Sequence, residues 1–443
     1  MNIRIGKLRL VDRVHPIPSD RASPSHPFPY CSPRWKRSPA NSHLFIRLPL
    51  WNMNSIRYVD QMDLAGKRVL LRVDLNVPLR NGAVADDSRI NAILPTVRYI
   101  LEKGGMPIVC SHLDRPGGKR VPELSLRPVS ERLSELTGEK VAFADEIVGP
   151  KAEDAASSMR NGSILMLENL RFDPGEEAND ESFARSLASL ADAYVDDAFA
   201  NAHRAHASNV GVTRHIDDTA GGLLMKKELQ ALEGVLESPD RPLVVAIGGA
   251  KVSSKIATIE HLSRIADRLL LGGAMAFPFL RAQGVDVGGH RANGEAVERA
   301  MRMLDERPGS IVLPEDFAVD DGGRREVDVD DLPADKSALD IGARTMDRFA
   351  SELKAAGTIV WNGPMGKFEQ EGFDVGTRMV AKAIARSPAY SLVGGGDTDA
   401  ALDRYGLSEQ ISYVSTGGGA FLEMLSGREL PAIKALVRQT VRA

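Results

Sequence analysis

From about residue 66 the chain alternates short apolar runs with amphipathic stretches. Runs of strand length fall at 68–73, 106–111, 141–144, 163–167 and 193–195. Between them apolar positions recur at helical spacing over 89–103, 126–136 and 181–190. Near-continuous apolar strands separated by helices predict a parallel sheet covered on both faces. The rhythm restarts at Leu243. Strands are expected at 243–247, 268–271, 311–313, 358–361, 391–393 and 411–414, and helices at 255–265, 296–305, 344–355, 377–385 and 399–404. The predicted fold is therefore α/β, with two doubly wound, Rossmann-like parallel-sheet domains.

The join falls in residues 225–238, where Leu229, Leu232, Val235 and Leu236 keep a helical period before Ser238-Pro-Asp-Arg-Pro242. A connecting helix fits this pattern better than a loose linker. It separates an N-terminal domain over 53–224 from a C-terminal domain over 239–429. Residues 1–52 show no sustained period and hold eight of the 25 prolines, so no element is assigned there.

A hydrophobic content of 43% and a charged content of 26% are those of a soluble globular enzyme. No apolar run is long enough to span a bilayer. Cys31 and Cys110 are far apart, so no disulfide framework is expected and a reducing compartment is the simpler reading. The net charge of −4 is unevenly divided: residues 1–52 carry nine Lys/Arg against two Asp, a net of +7, leaving −11 for the rest. An acidic body argues against nucleic acid as the main partner. The basic opening fits a transit peptide, a nucleic-acid-binding arm, or an extension upstream of a true start at Met53. The abrupt onset of patterning at Ile56 favours the last.

In open α/β sheets ligands sit beyond the carboxyl ends of the strands. In the first half those ends carry Arg72, Asp74 and Asn76, then Arg89, His112 and Arg115, Arg171, and finally His203, Arg204 and His206. Arginine's planar fork suits carboxylate and phosphate, and Asp74 with Asn76 suits a hydroxyl. The implied ligand is small, multiply anionic and hydroxylated. His203 and His206 lack a third ligand at useful spacing, which disfavours zinc.

The second half ends its strands in glycine: Gly248-Gly249, Gly272-Gly273, Trp361-Asn-Gly-Pro-Met-Gly366, Gly394-Gly-Gly-Asp-Thr398 and Thr416-Gly-Gly-Gly419. In residues 244–255 a strand, a glycine turn and a helix start are followed by Lys251 and Lys255, a setting for phosphate, though without Walker A spacing. Asp397 is placed to hold Mg2+ near phosphates, or else to cap a helix from Asp399. Glu369 is placed to accept a ribose hydroxyl.

These segments resemble phosphoglycerate kinase. They are Arg72-Val-Asp-Leu-Asn-Val-Pro, Ser111-His-Leu-Asp-Arg-Pro, Glu168-Asn-Leu-Arg-Phe, Ala202-His-Arg-Ala-His, Gly248-Gly-Ala-Lys-Val-Ser-Ser-Lys, Trp361-Asn-Gly-Pro, Gly394-Gly-Gly-Asp-Thr and Ser415-Thr-Gly-Gly-Gly-Ala, in the family's order over 56–443. The resemblance implies a hinge-bending, cytoplasmic, monomeric kinase of glycolysis that interconverts 1,3-bisphosphoglycerate and ADP with 3-phosphoglycerate and ATP, using Mg2+. It implies a glycerate site of Asp74, Leu75, Asn76, Arg89, His112, Leu113, Asp114, Arg115, Arg171 and Arg204. It implies a nucleotide site of Gly249, Ala250, Lys255, Gly273, Leu339, Asn362, Pro364, Glu369, Gly395, Gly396, Asp397 and Thr398, with Asp397 beside the metal. Arg89 and Lys251 would neutralise the migrating phosphoryl group, and residues 430–443 would return to the N-terminal domain.

Three positions depart from the family's pattern: Asp114 and Ala274 each stand where glycine is usual, and Ala200-Asn201 stands where Gly-Thr is common. Another metabolite kinase and a catalytically silent nucleotide-binding protein of the same fold are the alternatives. A dehydrogenase is disfavoured, because no G-x-G-x-x-G opens a first βαβ unit.

Overall fold

The computed structural model describes residues 55–288, 290 and 294–442. The basic opening, the candidate start at Met53 and Cys31 lie outside the described residues. Cys110 is buried and unpaired.

The first lobe runs β1 (Arg68–Arg72), a hairpin of β2 (Leu79–Arg80) and β3 (Ala83–Val84), α1 (Ser88–Glu102), β4 (Met106–Cys110), α2 (Arg127–Thr137), β5 (Val141–Phe143), α3 (Pro150–Ser157), β6 (Ile164–Met166), α4 (Pro174–Ala178), α5 (Glu181–Ala188), β7 (Ala193–Asp196) and β8 (Thr219–Gly221). Its sheet has the order β5-β6-β4-β1-β7-β8, and every pairing is parallel. The order reverses at β1, so a crevice opens beyond the carboxyl ends of β1 and its neighbours.

Helix α6 (Leu223–Glu237) leads to the second lobe, which runs β9 (Leu243–Ile247), α7 (Val252–Ile265), β10 (Arg268–Leu271), α8 (Phe277–Ala282), α9 (Gly294–Glu306), β11 (Ile311–Val312), β12 (Asp316–Asp320), β13 (Arg324–Asp328), β14 (Ala338–Ile341), α10 (Ala343–Lys354), β15 (Thr358–Asn362), α11 (Val375–Arg386), β16 (Tyr390–Gly394), α12 (Gly396–Tyr405), β17 (Tyr413–Ser415), α13 (Gly418–Leu425) and α14 (Pro431–Arg442). The parallel order β11-β10-β9-β15-β16-β17 is the doubly wound arrangement, reversing between β9 and β15.

The strands carry no alternation because both faces are covered: all five residues of β4, β9 and β15 are buried. One hydrophobic cluster passes from Leu70 and Ile108 through Leu229 and Leu232 of α6 to Val245 and Phe421, joining the two lobes. The opposite face of each sheet has a separate core, around Val69 and Val97 in one lobe and around Ile359 and Phe349 in the other. Helix α14 packs on β8 and on the 207–211 turn of the first lobe, with Ala432 N donating to Ala202 O at 3.2 Å.

Several features were not expected. Strand β8 is only Thr-Ala-Gly, too short for a periodic signal. An antiparallel sheet, β13-β12-β14, sits beside the main sheet of the second lobe; β13 is Arg-Arg-Glu-Val-Asp and largely solvated, so it has no apolar run. Helices α7 and α12 begin at Val252 and Gly396, each three residues before the expected start, because their first turns are polar. Asp397 therefore lies within the first turn, Gly395 occupies the cap position, and the capping alternative for Asp397 does not hold.

Candidate active site

In the first lobe the loops after β1, β4, β6 and β7 bring the expected charged groups together. Asp74 pairs with Arg89 from the first turn of α1. Asp74 also accepts from the Asn76 amide at 3.0 Å, and Asn76 Oδ1 accepts from the Asp114 amide at 2.9 Å. Arg171 donates to the Asp114 carbonyl at 2.7 Å. Its side chain is only 3% exposed and lies 3.2 Å from Glu177 through Nε. That Nε is not aligned for a hydrogen bond, however, and Nη2 has no partner among the described residues either. Buried guanidinium N–H groups without acceptors are costly unless something else accepts from them.

His112 sits at the centre of the cluster, 4% exposed and 3.5 Å from Arg72. Burial drives its pKa well below the ordinary value, and the charges of Arg72, Arg171 and Arg204 push the same way against Asp74. His112 is thus a neutral polar group. Burial raises the Asp74 carboxyl, yet His112, Arg89, the Asn76 amide and Arg72 together outweigh it and hold it below the usual range. Arg204 is half-buried and donates to His203 Nε2 at 3.3 Å, while Arg115 is exposed with no side-chain partner among the described residues.

Three expected groups are placed differently from the rest. Arg72 is 1% exposed and bonds Ser208 Oγ at 2.8 Å, so its charge acts within the protein. The side chains of Leu75 and Leu113 are in the core, and their amides are taken by Ser111 Oγ at 2.8 Å and Asn169 Oδ1 at 3.1 Å. These two residues shape the loops and offer no polar group. Asp114 has φ 52, the left-handed conformation where glycine is the cheaper residue.

In the second lobe the crevice between β9 and β15 is built from backbone. Gly248 N donates to Asn362 O at 3.0 Å and Gly249 N to Pro364 O at 2.8 Å. A Cβ on Gly248 would collide with the Pro364 carbonyl, and one on Gly363 (φ 90) with Gly248 O and Lys255 Nζ. Side chains are excluded there by contact. Thr398 Oγ1 accepts from Gly363 N at 2.7 Å, and Asn362 Nδ2 donates to Gly394 O at 2.5 Å, which ties the β15 and β16 ends together. Ala274 N donates to Gly249 O at 3.0 Å, beside Gly273.

Lys255 reaches back from α7 to donate to Gly248 O at 2.8 Å. Burial lowers its pKa to about 8, with the charge of Asp397 opposing the fall. Asp397 and Glu369 are exposed and make no side-chain bond among the described residues. Lys251, at the cap position of α7, and Ala250 before it are exposed as well. Leu339 is half-buried, its carbonyl accepting from Lys367 N at 2.6 Å.

Some polar groups here escaped a reading of strand ends. Glu228, buried in the middle of α6, accepts from Ser415 Oγ at 2.8 Å, Thr416 N at 2.7 Å and Thr416 Oγ1 at 2.8 Å. Burial raises it to about 7. Asp399 is raised to about 7 by burial and by Asp403 and Glu228, with Arg89 of the other lobe opposing. Only the buried position of Glu228 in an otherwise apolar stripe hinted at its role.

The geometry pairs a basic cradle for a small anion with a glycine-lined crevice and one half-buried lysine. Residues 59–428 match the family model described as Phosphoglycerate kinase. The chain belongs to the phosphoglycerate kinase family. It is an ATP-dependent phosphotransferase of that family. Over 391 residues it is 47% identical to the phosphoglycerate kinase of Picosynechococcus sp., covering 86% of this chain and 98% of the relative. Over 386 residues it is 50% identical to that of Desulfosudis oleivorans, covering 85% and 98%. The solved phosphoglycerate kinase of Coxiella burnetii superposes with a TM-score of 0.80 at 41% identity, covering 87% of this chain and all (100%) of that one. That of Pyrococcus horikoshii OT3 gives 0.76 at 37% identity, with the same coverage of 87% and 100%.

Proposed function

We propose that the chain moves a phosphoryl group reversibly between 1,3-bisphosphoglycerate and ADP, giving 3-phosphoglycerate and ATP, at a site divided between the lobes. The supporting observation is the division itself, with orphaned arginine N–H groups in one crevice and a side-chain-free turn over a half-buried lysine in the other. The first lobe, 53–224 with 430–443 packed back on it, takes the glycerate; the second, 239–429, takes the nucleotide; 225–238 connects them.

The acceptor in the ATP-forming direction is a phosphate, and in the reverse direction a carboxylate already ionised at neutral pH. Neither needs a general base. Catalysis reduces to alignment and neutralisation of charge. Arg171 offers Nε and Nη2 to the anionic groups of the glycerate, with Arg115, Arg204 and neutral His112 beside it. Asp74 and Asn76 receive the hydroxyl. Lys255 and the amides of Gly395 and Gly396, at the N-terminus of α12, hold nucleotide phosphates, while Leu339 lines the base and Glu369 accepts from the ribose.

At the start of α12 the second lobe offers the exposed carboxylate of Asp397, and among the described residues there is no cluster of three metal-ligating side chains. That set fits a Mg2+ carried mainly by the nucleotide's phosphates and touched by one protein carboxylate. Bound there, the ion supplies charge neutralisation to those phosphates. Arg89 from one lobe and Lys251 from the other complete the neutralisation as the lobes close. We place the enzyme in the cytoplasm as a monomer acting on small molecules without nucleic acid or membrane; the acidic body favours this, and no described helix is long and apolar enough to cross a membrane.

The test is a coupled assay of the full chain with ATP, Mg2+ and 3-phosphoglycerate. Turnover dependent on 3-phosphoglycerate is expected, and Lys251→Ala should lower it on the order of 100-fold without loss of stability, because the side chain is exposed and makes no hydrogen bond or ion pair among the described residues. A folded sample with no such turnover refutes the reaction. A Lys251→Ala variant near wild-type rate refutes the role of Lys251.

A further inference from the structure

The loop between β15 and α11 carries Glu369, the carboxylate set against the ribose in the reading above. Glu369 is exposed and its side chain has no partner among the described residues, so what fixes its place acts on the loop backbone. One buried carboxylate gathers both ends of that loop. Asp340, 2% exposed at the end of β14, accepts from the Gly376 amide at 2.8 Å. A Cβ at either Gly366 or Gly376 would collide with its Oδ1, so the two mouths of the loop close on the same group.

Asp340 is in turn held by Arg324 from β13. Arg324 Nη1 lies 2.9 Å from Asp340 Oδ2 and 3.0 Å from the Gly372 carbonyl, and its Nη2 lies 3.0 Å from the Ile341 carbonyl. One guanidinium thus joins the antiparallel sheet, the buried carboxylate and the far side of the loop. Arg404 of α12 anchors the opposite side through the Phe368 carbonyl. The Lys367 amide, bonded to Leu339 O at 2.6 Å, links the loop to the residue that precedes Asp340. A planar fork can serve three acceptors in fixed directions; a lysine ammonium on a flexible stem cannot. Charge-assisted bonds of this kind hold a loop in its binding conformation before the ligand arrives, which lowers the cost of binding.

We propose that Arg324, acting through Asp340 and the Gly372 carbonyl, is a positioning residue for nucleotide binding that orients the Glu369 loop without touching substrate. The antiparallel sheet, an addition to the doubly wound plan, is then the abutment for the ribose side of the site. The inference rests on the reading of Glu369 as a ribose acceptor, and its test separates the two.

Initial rates are measured for wild type, Arg324→Ala, Arg324→Lys, Glu369→Gln and the double variant Arg324→Ala/Glu369→Gln, varying ATP and 3-phosphoglycerate in turn. Arg324→Ala is expected to raise KM for ATP about five- to tenfold and to leave KM for 3-phosphoglycerate within about twofold. Arg324→Lys, which keeps a cation beside Asp340 but not both carbonyl bonds, should recover part of the loss; it also serves if the alanine variant does not fold. The double variant should bind ATP little worse than Glu369→Gln alone, because both changes remove one contact. If Glu369→Gln raises KM for ATP while Arg324→Ala does not, or if Arg324→Ala raises both KM values alike, the positioning role is wrong. If Glu369→Gln itself leaves KM for ATP unchanged, the ribose reading fails and takes this inference with it.

Discussion

Lys255 should make the empty protein less stable, and removing its charge should strengthen the fold while destroying the site. The side chain turns back under the glycine turn with one hydrogen bond among the described residues, to Gly248 O at 2.8 Å. Burial lowers its pKa from 10.5 to about 8. Such a fall corresponds to about 3 kcal/mol against the charged form, an upper figure because the crevice admits water. Lys255→Met removes that penalty and loses one hydrogen bond of about 1 kcal/mol, so a gain of about 1–2 kcal/mol at pH 7 is expected. Between the folded value near 8 and the unfolded 10.5, the unfolded chain binds more protons. Wild-type stability should therefore rise with pH across that window, and the variant should lack that rise. Urea denaturation without ligand at pH 7, 8.5 and 10 measures both effects. Nucleotide binding supplies the missing negative charge, so near pH 8 wild type should take up about half a proton on binding ADP, read by calorimetry in buffers of different ionisation enthalpy. A Lys255→Met protein that is less stable than wild type at pH 7, with the same pH slope, would show that the ammonium is well solvated and the reasoning wrong.

Asp114→Gly should relieve the φ of 52 and remove a negative charge beside the arginines. Stability should change by less than about 1 kcal/mol, since the unfolded chain also gains freedom, while KM for 3-phosphoglycerate falls severalfold in steady-state assays. An unchanged KM would mean that the Asp114 carboxylate does not face the ligand. Glu228 is raised from 4.5 to about 7, so its stabilising contribution is complete below 4.5 and is lost as pH rises through 7. Glu228→Gln should flatten that decline, and wild type should lose on the order of 3 kcal/mol relative to the variant between pH 4.5 and pH 8 in urea melts; parallel pH profiles would contradict this.

The parallel sheets were legible because burial on both faces writes itself as unbroken apolar runs, and β9 and β10 fall where the runs do. The polar constellation was legible where the strand-end rule applies, as with Asp74, His112 and Arg171. That rule also collected Arg72, which is the last residue of β1 and turns into the lobe's interior, while the family resemblance added Leu75 and Leu113, whose side chains are in the core. What escaped notice was structure without periodicity. β13 is solvated along most of its length, so Arg324 looks like any surface arginine, and Asp340 is a single acid between apolar neighbours. Glu228 falls in the same class: its three partners lie 187 and 188 residues away, a separation no local pattern records.

In the proposed reading the two lobes handle anions by different means, and the difference follows from what each would hold. A small ligand with a fixed set of oxygens is matched by guanidinium forks whose charge never varies, and the first lobe can bury Arg171 because Glu177 stands 3.2 Å away to offset part of its charge. A nucleotide gains and loses a phosphoryl group in each cycle and carries a metal with it. Backbone amides around bare glycines accommodate both states, and a lysine with its pKa near 8 adds charge when phosphate is present at less cost when it is absent. The join between these two chemistries is specific as well. Glu228 holds Ser415 and Thr416, immediately before the glycine turn that opens α13, and a Cβ on Gly419 in that turn would come within 3.0 Å of the His203 ring beside Arg204. The lobe closure proposed above would therefore move the glycine turn relative to the basic segment, with Glu228 bonded at that join.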